Sequence, residues 1–406
     1  MAGAMRARNF QLNTYQLPIT THHLPPMFTY FDHNATTPLD ARVLEAMLPF
    51  LREQYGNASS RHDLGISARR AIDQAREQVA ALVNVRPPQV VFTSGGTEAN
   101  NLFIKGAAEI LKPSQIAISA IEHPCVAKPA EALARRGWGV RKLLVTRDGK
   151  GDVSDVAAAL QTPTGIVSVM LTNNETGVIQ DVAAVAERAR AAKAWMHTDA
   201  VQALGKIAVD FEALNVHAMT LSAHKIYGPK GAGALIVDKR IELAPLIAGG
   251  GHEHGLRSGT ENVPAIVGFG AAAELAASRI AELAPRLEKL RARVEQGLSN
   301  MGAVIFGVQS ARVPNTSYFA LKGIDGETLI IELDKLGFGV AAGAACSSAN
   351  PEPSATLLAM GIAPEIARGA VRFSLGAANT AQEVDDFLKA LKQVVARLKN
   401  LTAMAV

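Results

Sequence analysis

An α/β fold built on a mostly parallel sheet is what this sequence predicts, and three observations predict it. From about Val90 to Val237, short β-branched runs alternate with Ala-rich helical stretches. From Ala265 to about Asn300 a helical spacing takes over, and from Pro314 onward strand and helix patterns alternate again in shorter units. Taking the elements in order, Val90–Thr93, Ile116–Ile118, Gly165–Met170, Trp195–Thr198 and Gly233–Val237 are short and apolar, as strands buried on both faces must be. The helical patterns between them include Val182–Ala192, with Arg and Lys on the polar side. Leu287, Leu290, Val294 and Leu298 recur at steps of three and four, which marks a long connecting helix. Beyond it, Asn315–Leu321 and Val371–Leu375 read as extended, and Glu327–Leu336 and Glu383–Leu398 as helical. The expected molecule has a large central α/β domain, a connecting helix and a smaller C-terminal α/β domain.

Composition narrows the function classes. The chain has 406 residues, 48% of them hydrophobic and 19% charged, enough for two or three domains of about 150 residues each. Basic residues are spread along the chain, the formal charge is +4 and aromatics are 5%, which gives a nucleic-acid partner no support. No apolar run reaches about 18 residues, so no membrane span is expected. Two cysteines, Cys125 and Cys346, cannot build a disulfide framework and point to a reducing, cytoplasmic setting. Residues 1–27 read as an N-terminal extension with no apolar core for a secretory signal and no Ser.

The residues that carry chemistry follow the strands, where ligands of such sheets bind. Ser222-Ala223-His224-Lys225 lies just past the apolar Val216–Leu221. A rigid, partly desolvated Lys has a lowered pKa and attacks carbonyls, although a lone Lys is usually a solvated charge. Asp199 ends the Trp195–Thr198 strand, with Gln202 three residues on. Such a carboxylate pairs with the pyridinium nitrogen of pyridoxal phosphate, or serves as a helix N-cap. Ser94-Gly95-Gly96-Thr97-Glu98 is a strand, glycine turn and helix start, which aims backbone N–H groups at an anion. His123 and Asn173-Asn174-Glu175 follow two further strands, the imidazole suited to lie over an aromatic cofactor.

Together these strings resemble the fold-type I pyridoxal-phosphate enzymes, and among them the NifS-like cysteine desulfurases of the class-V aminotransferase family. The resemblance rests on Asp32 to Pro38, Gly56-Asn57, Thr93 to Glu98, Glu122-His123-Pro124, Asn173 to Gly177, His197 to Gln202 and Ser222 to Lys225. It continues through Arg257 to Asn262, Gly343 to Ser348, Glu352-Pro353-Ser354 and Arg372 to Leu375. It implies a seven-stranded, mostly parallel sheet sandwiched by helices in a large domain at 46–276. A segment at 28–45 would pack on a small domain at 277–406, which carries the catalytic cysteine loop. Lys225 is then the Schiff-base lysine, Asp199 the pyridinium partner and Gln202 the contact to the phenolic oxygen. His123 is the stacked imidazole and proton carrier. Gly96, Thr97, Ser222 and His224 bind phosphate, with Thr260 reaching it across a homodimer interface. Asn57, Asn174 and Arg372 hold the substrate carboxylate, and alternation of Val371, Phe373 and Leu375 away from Arg372 leaves its fork free to do so.

Cys346 sits in a Gly-, Ala- and Ser-rich stretch with few packing partners, the setting of a nucleophile on a mobile loop, although a free Cys is commonly a small buried hydrophobe. The resemblance implies conversion of L-cysteine to L-alanine, with a persulfide on Cys346 passed to an iron–sulfur scaffold protein. The short C-terminus points to the nitrogen-fixation branch. Selenocysteine lyase and aminotransferase are the alternatives, and an aminotransferase would have no use for Cys346. Cys125, at a helix start, reads as structural or incidental. His252-Glu253-His254 lacks the further ligands of a metal site and reads as a flexible loop near the dimer interface.

Overall fold

The computed structural model describes residues 28–342 and 352–404, the side chains of 401–404 excepted. After β1 (Thr29–Tyr30) come α1 (Ala41–Arg52) and α2 (Asp63–Leu82). Ala68, Ile72, Ala75 and Val79 of α2 are fully buried at helical spacing. Then follow β2 (Val90–Thr93), α3 (Gly96–Ile110), β3 (Gln115–Ser119), α4 (Pro124–Leu133), β4 (Gly139–Leu143), α5 (Val153–Ala159) and β5 (Thr164–Ser168). The run continues with α6 (Val182–Ala191), β6 (Trp195–Asp199), α7 (Phe211–Leu214), β7 (Ala218–Ser222) and β8 (Gly233–Val237).

These strands form one seven-stranded sheet in the order β2-β8-β7-β6-β5-β3-β4. All neighbours are parallel except β8, which runs antiparallel to both β2 and β7. The segment between β7 and β8, residues 223–232, is too short for the crossover that a parallel return needs. Side chains alternate between the two faces. Val91, Ile116, Ile118 and Ile166 pack with Leu102, Phe103, Val126 and Leu133 on one side. Phe92, Ala117, Val167, Met196 and Met219 pack with Ile72, Val185 and Phe269 on the other. The sheet is therefore covered by helices on both faces, as the strand composition predicts.

α8 (Val263–Asn300) runs unbroken for 38 residues past Pro285. Its first half puts Ile266, Phe269 and Ala273 into the core of the large sheet. Its second half puts Leu287, Leu290, Val294 and Leu298 into a separate core. It is long and apolar enough to cross a membrane, but those apolar positions are taken up by the protein's own two cores. Next come β9 (Val304–Ile305), β10 (Thr316–Ala320), α9 (Gly326–Asp334), β11 (Phe338–Gly339), β12 (Ala341–Ala342), α10 (Ala355–Ala359), α11 (Pro364–Arg368), β13 (Ala370–Ser374) and α12 (Ala381–Met404). An antiparallel sheet β12-β13-β10-β9 backs the second core. The N-terminal segment enters it: β1 pairs with β11, and the Phe31 ring lies 4.3 Å from Phe373 and 5.5 Å from Phe387, centroid to centroid.

One loop departs from its sequence reading. Glu253 is buried and accepts from Arg76 Nη1 and Nη2 (2.7 Å each) and from the Phe92 N–H (2.8 Å). The 252–255 turn is thus tied to α2 and β2 by a buried, bidentate ion pair rather than left loose.

Candidate active site

The carboxyl ends of β6 and β7 build the site. Asp199 closes β6 and Ser222 closes β7, and Lys225 sits in the short helical turn that follows. The Lys225 Nζ donates to the main-chain oxygens of Asn34 (2.5 Å) and Ala35 (2.6 Å). Burial and then the nearby Arg372 charge lower its pKa to about 8, against the opposing pull of Asp32 and Asp199. The Asp199 carboxylate is 6% exposed and accepts from Asn100 Nδ2 (2.7 Å) and the Val201 N–H (2.9 Å). Burial pushes that carboxyl above its ordinary range, while Asn100, Val201, His123 and Lys225 hold it down. His123 caps α4, its Nδ1 accepting the Cys125 N–H at 3.2 Å. Burial lowers the imidazole pKa; the Asp199 charge opposes that shift and the Lys225 charge adds to it. These three predicted residues therefore share one crevice.

Gln202 donates from Nε2 to the Asn34 main-chain oxygen (2.9 Å) and accepts from Lys206 Nζ at Oε1 (2.6 Å). His224 Nδ1 contacts Thr36 Oγ1 (3.1 Å); burial and two neighbouring lysines lower its pKa to about 4, leaving it neutral near pH 7. The glycine turn is shaped for an anion. Gly96 and Thr97 open α3, and a Cβ on Gly233 would stand 2.6 Å from Gly95 Cα. The Ser222 hydroxyl beside it is buried with no partner among the described residues. Buried polar groups are rarely left so, and a phosphate oxygen at the α3 N-terminus would satisfy it. The donor set fits the expected coenzyme.

Arg372, on β13, is 8% exposed. Its Nη2 donates to Asp32 Oδ1 (2.6 Å) and its Nη1 to the Asn174 main-chain oxygen (3.1 Å), while Nε is buried without a partner among the described residues. The fork does face a carboxylate, that of Asp32. Asn57 is exposed and its side-chain oxygen accepts the Ser59 N–H (2.8 Å); it makes no hydrogen bond to the Lys225 cluster. Thr260 is exposed and lines a cavity with Thr93, Ser94 and Arg257 outside the glycine turn. Cys346 lies outside the described residues. The ends of its segment are held: Ala341 of β12 pairs opposite Arg372, and Ser354 donates to Glu175 while Thr356 does the same at 2.8 Å.

Several site residues escape sequence reasoning. Asn34 is 1% exposed and takes Lys206 Nζ (2.9 Å) and Asn315 Nδ2 (3.1 Å) on its side-chain oxygen. Its own Nδ2 donates to Thr316 Oγ1 at 2.9 Å. Lys206 is buried, and burial, Lys225 and Arg372 push its amine far below the usual lysine range. Cys125, which the sequence left as structural or incidental, lies 2.8 Å from His123 Nδ1 and 3.0 Å from Asn100 Nδ2. Lys206 four residues after Gln202 was a usable signal, because that spacing puts the two on one face of a turn.

Known proteins resemble this one over nearly its whole length. A cysteine desulfurase IscS of Anaeromyxobacter dehalogenans (strain 2CP-C) is 43% identical over 382 residues, 92% of this chain and 94% of that protein. The cysteine desulfurase IscS 1 of Archaeoglobus fulgidus is 41% identical over 378 residues, 92% of this chain and 99% of its own. A solved NifS-like protein superimposes with a TM-score of 0.86 at 39% identity, covering 91% of this chain and all 100% of that one. The architecture is that of the fold-type I enzymes. With residues 29–387 matching the family model described as aminotransferase class-V, and Lys225, Asp199 and the glycine turn meeting at its sheet ends, the chain belongs to the class-V aminotransferase family.

Proposed function

We propose that this protein is a pyridoxal-phosphate-dependent cysteine desulfurase, converting L-cysteine to L-alanine and carrying the sulfur away as a persulfide on Cys346. The observation that carries the reading is the meeting of Lys225, its amine lowered to about pKa 8, with the buried fork of Arg372, whose Nε lacks a partner among the described residues. One group suits a carbonyl, the other a carboxylate.

The residues divide the work. Gly96, Thr97, Ser222 and His224 would hold the coenzyme phosphate, with Thr260 contributed across a homodimer. Asp199 would hold the ring nitrogen, His123 the ring face, and Gln202 and Asn174 the ring's polar edge. Bound pyridoxal phosphate supplies an electron sink conjugated to the substrate's Cα. Arg372, with Asn57 and Asn174, orients the amino acid by its carboxylate, and in doing so exchanges Asp32 for the substrate. Lys225 Nζ, near the pKa at which an amine can both take and return a proton at neutral pH, moves the Cα proton. The Cys346 thiolate attacks the substrate sulfur: an S–S bond forms, the Cβ–S bond breaks, and its electron pair stays on the carbon skeleton and is protonated to alanine. The persulfide then goes to an acceptor such as an iron–sulfur scaffold protein.

Sulfide and alanine measured from cysteine, with added pyridoxal phosphate and a reducing thiol, should appear in equal amounts. Cys346→Ala should abolish both. Undiminished turnover in that variant, or amino transfer to a keto acid in place of sulfide release, would overturn the reading.

A further inference from the structure

Two side chains outside the expected set join the two groups predicted to touch the coenzyme ring. Asn100 Nδ2 lies 2.7 Å from Asp199 Oδ2 and 3.0 Å from Cys125 Sγ, so both hydrogens of one amide have acceptors. Asn100 Oδ1 is buried without a partner among the described residues, which agrees with the amide being oriented by its NH2 end. Cys125 Sγ in turn lies 2.8 Å from His123 Nδ1. The Cys125 main-chain N–H also points at that Nδ1, at 3.2 Å. A ring nitrogen that receives a main-chain N–H is an acceptor and carries no proton. Sulfur accepts from Asn100, and the Thr97 hydroxyl that also reaches it lowers the thiol pKa as a donor to sulfur does, so the thiol hydrogen is left to donate to the same nitrogen. The chain therefore has one consistent polarity: Asn100 donates to Asp199 and to Cys125, and Cys125 donates to His123.

We infer that Cys125 is a positioning residue: held by Asn100, its S–H donates to His123 Nδ1 and keeps the imidazole neutral, with its proton on Nε2, beside the coenzyme site. This deepens the proposed function by giving His123 one defined protonation form. A thiol in this role must stay protonated, and burial together with the Asp199 charge pushes the Cys125 pKa up to about 12. It follows that Cys125 is no second persulfide carrier near neutral pH, since the thiolate is the nucleophile. An imidazole fixed in this way offers a donor at Nε2, and Nδ1 stays closed to proton uptake while both donors point at it.

Because the chain has 2 cysteines, Cys346→Ala leaves a single thiol, whose S–H stretch falls in a region free of other protein infrared bands. In the Cys346→Ala holoenzyme that band should be shifted as for a hydrogen-bonded donor, and adding His123→Ala should return it to the position of a free thiol. Ring-15N-labelled histidine spectra of the same holoenzyme should show His123 protonated at Nε2. In the otherwise wild-type enzyme, Cys125→Ser should keep that tautomer and the wild-type kcat within about twofold, and Cys125→Ala should lower kcat about fivefold with little change in KM, the worth of one neutral hydrogen bond. A thiol band insensitive to His123, or a proton on Nδ1, would overturn the inference. The spectroscopic readouts need no turnover, so they stand or fall separately from the sulfide assay.

Discussion

Among the described residues, Arg372 holds two acceptors in the free protein, Asp32 and the Asn174 carbonyl, and keeps a third donor unused. A substrate carboxylate must therefore displace a carboxylate already in place, and only a planar fork gains enough geometry to do so. Arg372→Lys keeps the charge and loses the fork; with charge-assisted hydrogen bonds worth about 2 kcal/mol, kcat/KM for cysteine should fall roughly thirtyfold, mostly through KM. Lys225 makes a second prediction, on stability. Its folded pKa of about 8 lies below the ordinary 10.5, so between those values the unfolded chain binds more protons than the folded one. Stability of the coenzyme-free protein should consequently rise with pH across that window, because the cost of burying the charged amine disappears. Lys225→Met should flatten that rise in urea titrations at pH 8 and pH 10; an unchanged slope would show that the amine is not desolvated. Asp199 and Lys225 were legible from their places after strands. Asp32 and Asn34 were visible only as part of a motif, because their partners Arg372 and Thr316 lie 340 and 282 residues away.

At the scale of elements, strand ends and helix starts do the placing. The β7–β8 return, too short for a crossover, turns Lys225 into the crevice and brings Gly233 against Gly95. α10 has a quieter part. Ser354 caps it by accepting the Leu357 N–H (3.1 Å) and donates to the buried Glu175, whose carboxyl burial raises above its usual range. That pair anchors the chain just after the Cys346 segment. Ser354→Ala removes both contacts and should cost about 1–2 kcal/mol in chemical denaturation. It should also slow sulfur transfer more than it weakens coenzyme binding, which retention of the coenzyme's visible absorbance on dialysis can check. The motif around Ser354 could be read in the sequence, but its tie to Glu175 could not, since 179 residues separate them.

Across the molecule, His33, His217 and His224 are lowered to about 4 and His197 to about 3, in each case chiefly by burial. An unfolded chain would protonate all four near pH 6.5, so it binds more protons than the native state below that point. Stability should be intact above pH 6.5 and fall steadily as pH drops toward 4, followed by thermal unfolding across that range; a flat Tm from pH 6.5 to pH 4.5 would contradict it. The two cores share α8 and the N-terminal segment, so their loss should be cooperative.

Local pattern alone determined the strand–helix alternation, the glycine turn and the strand-end positions of Asp199 and Lys225, because each depends on residues within a few places of one another. Tertiary structure alone decided the seat of Asp32 on Arg372, the burial of Lys206 against Asn34 and the link from Asp199 through Asn100 to Cys125. Those contacts join segments tens to hundreds of residues apart, and their energies come from burial, which no stretch of sequence displays until the chain has closed around it.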